Sequence, residues 1–372
     1  MDKKPILIIA AGENSPDLRY ATGFATPDAY LYFGHGDERL MVVSTLERDR
    51  AAAAARQGIT VESVEDVTGN AGSTWCDVAL ALAAKRRLGA FRVPPDFPLL
   101  YADKLRAAKL EIEPESGVFF PEREFKNDFE ITEITRAVRL AEAGVRNGCA
   151  MLAEAEIGPG NVLFYQGEVL TSERLRRVID LTLAGGNAQP TGTIAAGGVQ
   201  SSEPHHHGSG PLYAHTPIVM DVFPRLLDTG YWGDLTRTVV KGKAPEIVAN
   251  AYCAVREARD TTKAMLRPGA IPAELHLEAM RILEKHGFRT GRGDRRDFGF
   301  FHSLGHGIGL EIHEFPRLSM RNEKPLRGGE VVTVEPGLYY PEWGGIRLED
   351  LMAVTAGGAV CLTQIEDFLT IE

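Results

Sequence analysis

Five residues in the second half of this 372-residue chain would, if gathered at one place, do metal chemistry: Asp221, Asp234, His306, Glu335 and Glu349. Each lies in a distinctive string, respectively VMDVFPR, GYWGDLTRT, HSLGHGIGLEIHE, VTVEPGLYY and GGIRLED. Four carboxylates and one imidazole make a hard, oxygen-rich donor set. Such a set suits Mn²⁺, Co²⁺, Fe²⁺ or Zn²⁺ and argues against a closed structural zinc site, which is built on thiolates. Carboxylates can also bridge, so five side chains suffice for two ions about 3.5–4 Å apart sharing a water, the geometry of two-metal hydrolases.

Taken in this order, the strings resemble the M24 metallopeptidases, in the branch that holds aminopeptidase P, prolidase and the metal-free creatinase. The resemblance spans nearly the whole chain and is strongest from about Pro204 onward. It implies that all five residues are ligands of two divalent ions, Mn²⁺ foremost, with Asp234 and Glu349 bridging them. It further implies that Glu335 takes the proton of the shared water, while His205 and His313 contact the substrate and the tetrahedral intermediate. The implied fold is α+β, with a creatinase-type α/β N-terminal domain over 1–123 and a pita-bread catalytic domain over 124–372. The implied reaction is removal of the N-terminal residue from Xaa-Pro peptides by a homodimer. Two alternatives stay open: small-molecule chemistry on the same fold (ectoine-type amide hydrolysis, dimethylsulfoniopropionate cleavage or a creatinase-like reaction) and a non-catalytic binding module. A full ligand set favours a metal enzyme over a metal-free one, because four carboxylates buried together without cations are costly.

One feature departs from the family pattern. Asp221 and Asp234 stand thirteen positions apart, two more than is usual, with FPRLLDTG between them. If the two lie on the arms of a hairpin, an insertion of two residues preserves the face, since strand side chains alternate with period two. Asp228 is the rival for the first position, but it stands beside Thr229-Gly230, where turn chemistry accounts for an aspartate without a metal.

Ten histidines are present, and most must do something other than bind metal. His306 is followed by Gly307 and Gly309, whose lack of a side chain allows close backbone approach. His302 precedes it by four residues without the glutamate of an HExxH motif, which argues against a zincin; His302 is expected beside the metals rather than on them. In Pro204-His205-His206-His207, the Pro-His register favours His205 for the substrate, with His206 and His207 as neighbours in a slippery loop. Arg237 in DLTRT and Arg347 in GGIRLED flank ligand positions, where a buried guanidinium can pair with carboxylates and orient them.

The elements that must position these residues are partly readable. Pro5 to Ala11 reads as a buried strand, Ala29 to Phe33 and Leu40 to Ser44 as a pair around GHGDE, and Leu46 to Arg56 as an alanine-rich helix. Pro114 to Glu124 has linker composition. After it, Asn127-Asp128 with Glu130 signals a helix start, and Ile131, Ile134, Val138, Ala141 and Val145 recur at helical spacing. Further helices are expected at Gly167 to Leu183, Glu246 to Met265 and Ala273 to His286.

Composition bounds the partners. The length exceeds what one core sustains, so two domains are expected. A net charge of −10 and a pI of about 5.6 disfavour nucleic-acid or anionic-membrane partners, which need clustered Lys and Arg. Lys85-Arg86-Arg87 and the run 292–296 are short enough to read as solvated surface. No stretch approaches a transmembrane length, and Ile6 to Ala11 is too short for a secretory signal. Four cysteines without a CxxC pair suggest scattered thiols in a reducing compartment, hence a cytoplasmic enzyme acting on a peptide or small molecule.

Overall fold

The computed structural model describes residues 4–293 and 296–372. The chain divides into two units, Met1–Arg123 and Glu124–Glu372. The basic run 292–296 falls partly outside the described residues.

The first unit is a six-stranded mixed sheet in the order Thr60–Ser63, Glu38–Val43, Ala29–His35, Ile6–Ala11, Ala90–Val93, Glu111–Pro114. Alternation along the central strand sends Leu7 and Ile9 to one core and Ile8 to another, so both faces are buried. Helices such as Trp75–Arg86, opened by a Thr74/Asp77 capping box, cover one of these faces. The alanine-rich segment is shorter than its composition suggests. Thr45–Glu47 forms a 3₁₀ turn and only Arg48–Ala54 is α-helical. The linker composition of 114–124 likewise conceals structure: Pro114 ends an edge strand, Phe119 is buried in the first unit's core, and Pro121–Glu124 is a 3₁₀ turn.

The second unit opens with the 27-residue helix Asp128–Glu154. Its start is the one expected, with Asn127 and Glu130 satisfying each other's backbone donors. Helix Ser172–Gly185 packs against it, and both cover a sheet ordered Ile194–Gly197, Ile218–Asp221, Thr236–Lys241, Thr370–Ile371. That second helix starts five residues later than its composition suggests. Gly167 lies in a turn at positive φ before the short strand Glu168–Val169, and Thr171 is the N-cap.

The other half of this unit repeats the scheme. Helices Glu246–Met265 and Pro272–Lys285 contribute to a core shared with a five-stranded sheet ordered Glu314–Leu318, Gly305–Gly307, Val331–Val334, Asp350–Thr355, Gly358–Cys361. Two cores therefore back two sheets, and the candidate ligands lie on or just beside strands of both. Among the described residues no helix is long and apolar enough to cross a membrane.

Candidate metal centre

Asp221 is the last residue of Ile218–Asp221, paired across the antiparallel ladder with Thr236. Asp234 lies two residues before Thr236. The two aspartates thus keep the hairpin parity expected of them, although the chain between them does not simply turn. Residues 225–232 form a side arm in which Arg225 bridges Trp232 and Arg225–Leu226 pairs with Ala188–Gln189. Asp228 stands exposed at the tip of that arm, accepting from the Thr229 backbone and paired with Arg136. It is remote from the buried cluster by environment as well as by chemistry.

His306 sits in the three-residue strand Gly305–Gly307, at a β-bulge where the register to Glu314–Leu318 shifts. Bulges re-aim side chains. The flanking glycines are dictated by packing, since a Cβ on Gly305 would stand 2.0 Å from the Thr333 carbonyl and one on Gly307 2.2 Å from the Phe315 carbonyl. The Nδ1 of His306 faces its neighbour's carbonyl, Gly307 O, at 3.1 Å, which leaves Nε2 to face the carboxylates. Nε2 is 3.2 Å from Glu335 Oε1 and 3.6 Å from Asp234 Oδ2. One atom each from Asp234, His306 and Glu349 lie within 4.8 Å of one another, all three residues buried.

The remaining two expected ligands border that group. Glu335 follows strand Val331–Val334, and its Oε1 accepts from Thr333 Oγ1 at 3.0 Å. Asp221 is held by Arg347, whose Nη2 donates to Oδ2 at 2.6 Å. Both Asp221 Oδ1 and Glu349 Oε1 are buried without a hydrogen-bond partner. A buried acceptor left unpaired is costly, and two in one acidic cluster are what a cation would satisfy.

Electrostatics point the same way. Burial first, then the neighbouring carboxylates, hold Asp234 and Glu349 well above the ordinary carboxylate range. Burial also raises Glu335, but the hydrogen bond and charge of His306 outweigh it and bring this carboxyl down to about 2. The cluster is thus a set of mutually repelling carboxylates lacking sufficient positive charge. The residues fit divalent cations.

Arg347 and Arg237 are both buried, with different partners from those a symmetric reading of the sequence suggests. Arg347 reaches a ligand position, Asp221, and also donates to the Tyr339 hydroxyl at 2.8 Å and the Pro204 carbonyl at 3.3 Å. Arg237 touches no candidate ligand carboxylate. It donates to the backbone carbonyl of Glu349 at 2.6 Å and to Asp350 Oδ1 at 2.8 Å, so it fixes the loop rather than the side chain. Asp350 is tied in turn to Lys263 and Arg259.

His302 lies in a loop, with Nε2 3.0 Å from the Tyr339 hydroxyl and Nδ1 2.8 Å from Ser303 O. His313 packs its ring edge-on against His306, centroids 4.4 Å apart, while its outer side stays exposed. Partial burial, and then the His306 ring, lower its pKa to about 4. His205 is exposed and close enough to influence both His302 and His313. It lines a cavity of about 680 Å³ with Pro204, Phe301 and Arg296. His206 caps the backbone N–H of Gly208, and the His207 ring faces the Thr193 carbonyl, so the three tandem histidines have separate roles.

Sequence reasoning missed Tyr339, Thr236 and Thr333. Tyr339 joins His302 to Arg347, Thr236 Oγ1 donates to Glu349 Oε2 at 2.8 Å, and Thr333 Oγ1 links the His306 backbone to Glu335. The period-two signal was available for the threonines: Thr236 is two residues from Asp234 and Thr333 two from Glu335.

The sequence matches the profile of metallopeptidase family M24 over residues 132–356. An Xaa-Pro dipeptidase of Pyrococcus horikoshii is 31% identical over 98% of this chain and 95% of its own length. An Xaa-Pro dipeptidase of Pyrococcus furiosus is 39% identical over a shorter alignment, 47% of each chain. The solved prolidase from Pyrococcus furiosus superposes with a TM-score of 0.79 at 25% identity, covering 98% of this chain and 97% of that one. The chain belongs to metallopeptidase family M24. It is a metallopeptidase with an N-terminal domain ahead of a pita-bread catalytic domain, and its family implies divalent metal cofactors.

Proposed function

We propose that this enzyme removes the N-terminal residue from Xaa-Pro peptides at a binuclear centre held by Asp221, Asp234, His306, Glu335 and Glu349. The observation that carries the reading is the convergence of Asp234, His306 and Glu349 ligand atoms within 4.8 Å in a buried acidic cluster. Asp234 and Glu349 are the bridging candidates, and Mn²⁺ suits the oxygen-rich set. The relatives' names supply the Xaa-Pro preference.

Divalent cations bound there would polarise the scissile carbonyl and lower the pKa of a water. At neutral pH Glu335 accepts the proton of the attacking water and passes it to the leaving nitrogen. His313 is neutral at that pH, so one ring nitrogen can donate to the oxyanion as charge develops. His205 faces the substrate from the wall of the 680 Å³ cavity. His302 and Tyr339 hold Arg347, whose guanidinium fixes the direction of the Asp221 carboxylate. We also propose a cytoplasmic homodimer, supported by four free cysteines, as a reducing compartment keeps them, and by closed two-fold assembly being the commonest among soluble oligomers.

Kinetics on Ala-Pro, Ala-Pro-Ala and Ala-Ala-Ala with Mn²⁺-loaded protein test this. Cleavage confined to the two proline peptides supports it, and equal turnover of all three overturns the proline preference.

A further inference from the structure

His313 sits on residues 308–313, the loop joining strand Gly305–Gly307 to strand Glu314–Leu318. A loop of that length has no intrinsic reason to hold one ring at a fixed distance from His306. The carboxylate of Glu314 occupies its interior. Glu314 Oε1 accepts from the Glu311 backbone N–H at 3.1 Å, and a Cβ on Gly309 would stand 2.7 Å from Oε2, so the backbone folds directly over this group. Lys126, the residue before the cap of the helix Asp128–Glu154, reaches across 188 positions and donates from Nζ to Glu314 Oε2 at 3.0 Å. Both side chains are almost wholly buried, at 2% and 7% exposure. Lys126 is itself fixed by its backbone N–H donating to Gly329 O at 2.7 Å.

The same loop is gripped from outside by the arm between the two aspartates. The Trp232 backbone N–H donates to Gly309 O at 2.9 Å and its indole Nε1 to Leu310 O at 3.1 Å. The arm is anchored on the long helix, with Tyr231 donating to Glu130 and Thr229 to Glu133. Lys126, Glu130 and Glu133 therefore fix, from one stretch of chain, both grips on the loop.

We propose that Lys126 and Trp232 are positioning residues for His313: the buried Lys126–Glu314 pair shapes the loop from within, and Trp232 clamps it from without. This rests on the reading of His313 as a donor to the developing oxyanion. A buried carboxylate that loses its ammonium partner is driven to rearrange or take up a proton, and either change releases the Glu311 N–H and the loop around it. Neither residue touches the reacting atoms, so their loss moves His313 without emptying the metal positions.

The test uses full-length Mn²⁺-loaded protein carrying Lys126→Met, Trp232→Phe, the double variant Lys126→Met/Glu314→Gln, and Lys324→Met as an exposed lysine control. Hydrogen–deuterium exchange is read on peptides spanning 308–314 and 331–335, together with bound metal, kcat and KM on Ala-Pro. We expect Lys126→Met to speed exchange in 308–314 only and to lower kcat on the order of 10- to 100-fold, as for a catalytic group misplaced by about 1 Å, with KM and metal content little changed. Trp232→Phe should act in the same direction more weakly. Neutralising Glu314 in the double variant should recover part of the lost kcat. Exchange unchanged in 308–314, or kcat falling only together with metal content, overturns the proposal. Should Lys126→Met fail to fold, Trp232→Phe carries the same two outcomes. Faster exchange and lost kcat in the wild-type-like Lys324→Met control would also overturn it. Faster exchange in 308–314 of Lys126→Met with unchanged kcat would leave the loop clamp standing and sink the donor role of His313 on which the proposal rests.

Discussion

Arg347 Nη2 donates to Asp221 Oδ2 at 2.6 Å, across 126 positions of sequence, with both side chains buried. The guanidinium is the principal positive charge inside the acidic cluster, and burial leaves it tied to Asp221, Tyr339 and Thr236. Removing one member of a buried ion pair costs about 3–5 kcal/mol because the other charge is left uncompensated. Arg347→Met is therefore expected to lower thermal stability by that order and to weaken Mn²⁺ binding, read by calorimetric unfolding and metal titration. Arg347→Lys should be only a partial rescue, since an ammonium cannot serve three partners from a planar fork.

Thr236→Val tests a contact that is nearly isosteric. The hydroxyl donates to Glu349 Oε2 and accepts from Arg347 Nε at 3.1 Å. Loss of such a partner of a metal ligand typically costs 10–100-fold in metal affinity, roughly, with little effect on folding. Isothermal titration showing unchanged affinity would remove Thr236 from the centre.

His313→Ala should lose most of kcat with bound metal unchanged. A single donor aimed at a developing oxyanion is worth roughly 2.7–4 kcal/mol. If the variant instead loses metal, His313 is a ligand.

His276 gives a pH signature away from the metal positions. It is buried, its Nδ1 accepts from Leu304 N at 3.2 Å and its ring stacks on Phe300. Burial, and then His302, lower its pKa from 6.5 to about 4. The unfolded chain binds this proton at higher pH than the folded chain does. Stability is thus complete above the unfolded value and falls as pH drops from about 6.5 to about 4, by up to ~3 kcal/mol at 1.36 kcal/mol per unit. Urea unfolding of chelator-treated protein should show this slope, and His276→Gln should flatten it. An unchanged slope in the variant would assign it elsewhere.

The parts of this molecule that were legible in sequence are those decided by local chemistry. Helix Glu246–Met265 carries its period in its own residues, and the Asn127/Glu130 cap closes within one turn. Asp228 declared itself a turn residue through its neighbours, and its carboxylate does bond the Thr229 N–H. The start of helix Ser172–Gly185 was misplaced because helical composition continued upstream, while Thr171, a capping residue in plain view, was the better signal. Arg237 shows the limit most clearly. Its neighbourhood in sequence suggested a ligand carboxylate, yet its partners, Asp350 and the Glu349 carbonyl, lie more than a hundred residues away. Lys126 and Tyr339 were silent for the same reason: nothing near them in sequence says what tertiary packing sets beside them.

Metal stoichiometry measured on wild type and Asp234→Ala is the most direct test of the centre. Titration of chelator-stripped wild-type protein with Mn²⁺, followed by elemental analysis after desalting, should give close to two ions per chain. Asp234→Ala, losing the carboxylate proposed to serve both positions, should retain fewer than one. Wild-type protein that binds no Mn²⁺ and still hydrolyses Ala-Pro at full rate in excess chelator would contradict the account.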